Sequence, residues 1–197
     1  HQVSSVAFLM TCFWVPNIVL GPLAGVLVDK YSRKHILLFC NFSRAFILVC
    51  FWYIYPSDPP VYAIYTLEFF SGSILSLYLP AAMTLVREVV DKERLLYANS
   101  AVDMAYELGA IAGMGASGLI MAFTSVSMTF LINAICYLLA AGSLLLVPIQ
   151  KSCQEPRKDK SLLKDLVSGF LYVIKQPELL VIYGIQMLFF VSYMTAP

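Results

Sequence analysis

The sequence predicts an all-α protein, a polytopic bundle of membrane-spanning helices, on three observations. Of 197 residues, 60% are hydrophobic and 13% charged, too few polar groups to cover the surface of a water-soluble domain. Residues 108–150 contain no Asp, Glu, Lys or Arg. As one helix they would run roughly 65 Å at ~1.5 Å per residue, about twice a ~30 Å hydrocarbon core, so they must hold two spans. Finally, twelve of the thirteen Lys and Arg residues fall in three loops between apolar runs.

The first span is predicted over about Val6–Val28, with Pro16 and Pro22 as bending points. The second covers about His35–Tyr55 and carries Arg44. Pro56-Ser57-Asp58-Pro59-Pro60 cannot continue a helix and forms a turn. The third span covers about Val61–Val86, with Glu68 inside and Pro80 near its far end; Arg87–Arg94 is a charged loop. The fourth covers about Leu95–Phe123 and carries Asp103 and Glu107. A polar turn at Thr124–Ser127 leads to a fifth span ending near Pro148. These five make a transmembrane bundle over residues 1–149. Residues 150–178 follow as a polar, basic loop, and residues 179–197 as the start of the next span.

The basic residues set the orientation. Lys30, Arg33 and Lys34 follow the first span, Arg87, Lys92 and Arg94 the third, and six more the fifth, while the turns after spans two and four hold none. The positive-inside rule places the three basic loops in the cytoplasm. Trp52, Tyr53, Tyr55, Tyr62 and Tyr65 then fall at the outer interface, where aromatic rings anchor. Within the long loop, Leu163, Leu166, Val167, Phe170 and Ile174 recur at helical spacing. They predict an amphipathic helix over Leu162–Lys175, capped by Ser161, for the membrane surface or the underside of the bundle. The five cysteines show neither metal nor disulfide spacing. No metal, cofactor or nucleic-acid partner is expected, and nothing reads as a cleaved signal peptide.

The hairpin Gly25-Val26-Leu27-Val28-Asp29-Lys30-Tyr31-Ser32-Arg33-Lys34 resembles the loop signature G-x-L-a-D-R/K-x-G-R-R/K of the major facilitator superfamily of secondary transporters. Val28 stands for the usual small residue and Ser32 for the second glycine. Pro80-Ala81, the charged loop and Ala98-Asn99 resemble the drug- and siderophore-exporter branch. Gly109-Ala-Ile-Ala-Gly113-Met114-Gly115-Ala-Ser117-Gly118 is similar to the antiporter signature G-x-x-x-G-P-x-x-G-G, with Met114 for the proline and Ser117 for one glycine. The resemblance covers nearly the whole chain and implies a major-facilitator-like N-terminal half: helices two to six, the central loop and most of helix seven. A fragment of a longer transporter is therefore expected, a natural split gene being the other explanation.

The resemblance also implies a cytoplasmic gate. In the family the motif's Asp caps a helix of the other half and pairs with loop arginines, so Gly25, Asp29, Lys30, Arg33 and Lys34 become its candidate residues; the bland alternative is a solvated hairpin. Gly109, Gly113 and Gly118 remove side chains at about one-turn spacing, which suits close helix packing in lipid. Arg44, Glu68, Asp103 and Glu107 are charges inside spans, costly unless they face the bundle interior or a water-filled cavity. They are candidates for proton coupling or substrate contact, or for structural ion pairs. From their depths, about 15 Å for Arg44 and about 12 Å for Asp103, Arg44 is expected to pair with Asp103, or second with Glu107.

Three functions compete. The first is a secondary transporter, a proton-coupled efflux antiporter of a small organic compound, working by alternating access in the cytoplasmic (inner) membrane. Its expected partners are the lipid bilayer, the small-molecule substrate, protons and the remaining helices of the full-length transporter. The second is a non-transporting membrane protein or degenerate half-transporter. An integral membrane enzyme is third, and is disfavoured because no metal cluster, activated Ser or Cys arrangement, or Walker loop occurs.

Overall fold

A computed structural model of the chain describes residues 2–57 and 59–147, with side chains from Ser5, and residues 176–178, 180–182, 184, 185 and 188. Five long helices follow in order: α1 (Gln2–Lys30), α2 (Arg33–Ile54), α3 (Val61–Val89), α4 (Leu95–Phe123) and α5 (Val126–Leu146), with a 3-10 turn over Lys92–Arg94 before α4. All five are long and apolar enough to cross a membrane, and no strand occurs among the described residues. The chain is thus a multi-pass, all-helical membrane bundle. Residues 1–153 and 154–197 form separate compact units. The expected amphipathic helix over Leu162–Lys175 lies outside the described residues. Between Pro177 and Leu188 the described residues are helical.

Helix boundaries follow the breaks in the apolar pattern. Tyr31 and Ser32 separate α1 from α2, and the proline-rich turn separates α2 from α3. Ser125 caps α5, its side chain accepting a hydrogen bond from the Met128 amide, which satisfies one of the donors a helix start leaves open. α1 runs through Pro16 and Pro22, and α3 through Pro80. Hydroxyls inside the spans bond back to their own helix, as Thr11 Oγ1 does to the Ala7 carbonyl at 2.8 Å and Thr84 Oγ1 to the Pro80 carbonyl at 2.8 Å. No polar group is then left facing hydrocarbon without a partner at those positions.

Small residues make the helix contacts. α5 buries Ser127, Ala134 and Ala141 at a seven-residue interval, a seam that turns toward α2. α2 buries Leu37, Cys40, Asn41, Ala45 and Leu48 along one stripe. α1 packs most extensively on α3. Two apolar clusters result. Ala45, Leu48, Leu67 and Ala134 join α2, α3 and α5. Val28, Leu37 and Ala81 join α1, α2 and α3 near the basic hairpin, with Tyr78, Leu85 and Leu144 against them. α4 stands apart, with no buried residue.

Candidate functional site

The site begins with an electrostatic conflict. The first turn of α2 holds Arg33, Lys34 and no acid, so two cations sit where the helix macrodipole is positive. The fold relieves the conflict by sending the two side chains to different partners.

Arg33 is buried, its side chain 8% exposed. Its Nε lies 3.2 Å from Glu88 Oε1 at the end of α3, and its Nη2 lies 3.9 Å from Asp29 Oδ1 at the end of α1. One guanidinium thus holds three helix ends together, directly beneath the apolar layer of Val28, Leu37 and Ala81. Two ion contacts thus converge on Arg33. Asp29 and Arg33, expected from the hairpin motif, do meet, but the shorter contact is with Glu88, which the motif does not include. Asp29 itself is exposed, its side chain 55% accessible.

Lys34 turns the other way. Its Nζ donates to the Leu145 carbonyl at 3.0 Å and to the Val147 carbonyl at 2.7 Å, the orphan acceptors at the end of α5. A cation at a helix C-terminus is favourable. Lys34→Ala should therefore lower stability by about 1.5–3 kcal/mol, the net worth of hydrogen bonds made by a charged group, while Lys34→Arg should recover most of it. Thermal unfolding of the purified full-length protein in detergent reads this difference. Lys30 ends α1 and is exposed, and a Cβ on Gly25 would meet nothing within 4 Å.

The four charges inside the spans do not gather as expected. Arg44 does not pair with Asp103 or Glu107, both of which are exposed on α4. Its Nη1 donates to Tyr137 Oη at 3.1 Å, and its Nη2 to the Ser71 carbonyl at 3.1 Å. The guanidinium carbon lies 5.4 Å from the Tyr137 ring centre and 5.9 Å from that of Tyr78, within cation–π range. The carboxylate within reach of its charge is Glu68, half-buried on α3. Depth along the span cannot tell which neighbouring helix faces Arg44. The short turn between α2 and α3 could have done so, because briefly connected helices pack as antiparallel neighbours.

The glycines also differ from expectation. A Cβ on Gly109, Gly113 or Gly118 would meet nothing within 4 Å, so no described helix packs on them. The close approach is at Gly72 on α3, where a Cβ would fall on the carbonyl oxygen of Phe13 in α1. The tight α1–α3 contact therefore requires a residue without a side chain.

The sequence pattern of the Major Facilitator Superfamily matches residues 1–197. The uncharacterized MFS-type transporter YfiS of Bacillus subtilis (strain 168) is 27% identical over 177 residues, 88% of this chain and 42% of its own length. The enterobactin exporter EntS of Shigella dysenteriae serotype 1 is 28% identical over 155 residues, 78% of this chain and 36% of its own length. EntS of Escherichia coli O1:K1 matches to the same extent. The chain thus spans about two fifths of the length of these relatives. No solved structure matches it.

Proposed function

This chain belongs to the Major Facilitator Superfamily, and on that premise we propose that it supplies helices to a proton-coupled efflux transporter of small organic compounds, drug- or siderophore-like, in the cytoplasmic membrane. The observation that carries the reading is the buried Arg33 between Glu88 and Asp29. An ion cluster that binds three helix ends at one face of a membrane bundle is suited to closing that face. The basic loops put it on the cytoplasmic side. Transport then proceeds by alternating access, in which this half rocks against a second half around a midplane site. When the cytoplasmic side opens, the contacts that Asp29 and its neighbours make across to the second half separate. The remaining helices of the full-length transporter supply that second half. An exporter such as EntS among the relatives supports efflux of an organic compound rather than uptake of a nutrient.

Everted membrane vesicles from cells expressing the full-length protein test this reading, with enterobactin and ethidium as probes. An imposed pH gradient, acid inside, should drive accumulation of at least one probe above vector-only vesicles, and a protonophore should abolish it. Accumulation that is unaffected by the protonophore would remove proton coupling. No accumulation of either probe would remove the exporter assignment for these two compound classes.

A further inference from the structure

Arg44 stands near the middle of α2, and its seat is incomplete. Tyr137 and the Ser71 carbonyl occupy its two terminal nitrogens, but its Nε is buried without a hydrogen-bond partner among the described residues. Such an orphaned donor is uncommon inside a protein and marks a place where an acceptor belongs at some stage. A carboxylate is the strongest acceptor for a guanidinium. Glu68 precedes Ser71 by three residues on α3, so the two share one side of that helix, and Ser71 already touches Arg44. Glu68 also lies within range of the Arg44 charge, although no ion pair between them forms at 4.0 Å or less among the described residues.

The surroundings offer Glu68 no other described cation. α1, packed along α3, has no charged side chain between Val6 and Val28 and contributes only the Cys12 thiol. α2 adds Cys40, whose Sγ donates to the Ile74 carbonyl at 3.8 Å. α5 adds Tyr137, and α3 itself adds Tyr65 and Tyr78. On α4, Asp103 and Glu107 are exposed acids.

We propose that Glu68 is the proton-carrying acid of this bundle, that Arg44 is its counter-charge, and that Tyr137 is the positioning residue that holds Arg44 while Glu68 is protonated. The inference rests on the proton coupling proposed above. In the protonated state the neutral carboxylic acid leaves Arg44 on Tyr137 and Ser71, the arrangement observed. Release of that one proton to water leaves a carboxylate, which takes up Arg44 Nε and draws the guanidinium off Tyr137. Rebinding a proton reverses the exchange. No bond other than the O–H of Glu68 forms or breaks. Because Arg44 touches α3 and α5 at once, the exchange alters the joint between three helices.

The test is pH-difference infrared spectroscopy on the purified full-length transporter in liposomes, which needs no substrate. The wild type should show a protonated-carboxyl band that grows as pH falls and disappears reversibly as pH rises. Glu68→Gln should abolish it, while Asp103→Asn and Glu107→Gln should keep it. If Glu68→Gln does not fold, Glu68→Asp should move the band to the aspartic-acid frequency. Arg44→Gln should displace its titration to higher pH, because the neighbouring cation no longer favours the carboxylate, and Tyr137→Phe should displace it by a smaller amount. Both displacements are effects that a purely structural role would not produce. A wild-type band that survives in Glu68→Gln, or stays at the glutamic-acid frequency in Glu68→Asp, would overturn the assignment to Glu68 and leave proton coupling intact. A wild-type protein without any such band would instead remove proton coupling, and this inference with it.

Discussion

Replacing Gly72 with leucine should prevent the full-length protein from folding, and replacing it with alanine should weaken it markedly. A Cβ at this position would fall on the Phe13 carbonyl oxygen and lie 3.1 Å from the Phe13 Cα. The obstacle is backbone, so no rotamer change relieves it, and α1 and α3 must separate along their shared length. Overpacking by a methyl or methylene costs about 1–3 kcal/mol where side chains can give way. Against backbone the alanine cost belongs at the upper end of that range, and the larger leucine exceeds it. A folded domain has only about 5–15 kcal/mol in total. Size-exclusion profiles of detergent-extracted variants measure the outcome: Gly72→Leu should give no monodisperse peak, and Gly113→Ala, whose Cβ would meet nothing within 4 Å, should match the wild type in this chain's own packing. A monodisperse, wild-type-like Gly72→Leu would show that α1 and α3 do not approach as described.

The second large effect is expected at Arg33. Arg33→Gln removes the cation that lies 3.2 Å from Glu88, itself only 22% exposed beside an apolar layer. Removing one partner of a buried ion pair costs roughly 3–5 kcal/mol. Because Glu88 keeps some access to water, and Asp29 much more, the loss should fall nearer 2–3 kcal/mol, with efflux strongly impaired. Asp29→Asn should cost less stability than Arg33→Gln, since Asp29 is exposed. It should nevertheless impair transport if Asp29 also engages the second half of the transporter. Thermal unfolding and vesicle efflux, measured on the same preparations, separate the two effects.

The helices were legible in the sequence because hydropathy and charge act locally. An apolar run either reaches the length of a bilayer or it does not, and the hairpin charges, the proline-rich turn and the Ser125 cap mark where each run stops. The five helices accordingly fall within a few residues of their expected bounds at most ends. α1 begins earlier than expected, and α2 begins two residues earlier, at Arg33. That places Arg33 on the helix rather than in the loop.

What stayed hidden depends on which helix faces which. Glu88 lies 55 positions from Arg33, and nothing local distinguishes it from the neighbouring charged-loop residues. Tyr137 reads as one more aromatic in an apolar span until α5 is laid against α2. Three regularly spaced glycines on α4 are more conspicuous than Gly72 alone, yet among the described residues Gly72 is the glycine against which another backbone lies. The expected Arg44–Asp103 pair failed for the same reason: similar depth is compatible with any neighbour, whereas the short α2–α3 connection favoured an acid on α3.

A charge exchange between Arg33 and Glu88 tests the gate most directly. In the full-length transporter, Arg33→Glu and Glu88→Arg should each abolish proton-driven accumulation in everted vesicles, because like charges would then face each other at the helix ends. Made together they should restore a substantial part of it, because opposite charges face each other again, and Asp29, 55% exposed, repels the new acid at 33 only weakly. Efflux that remains at wild-type levels in either single reversal would contradict a gate built on this pair.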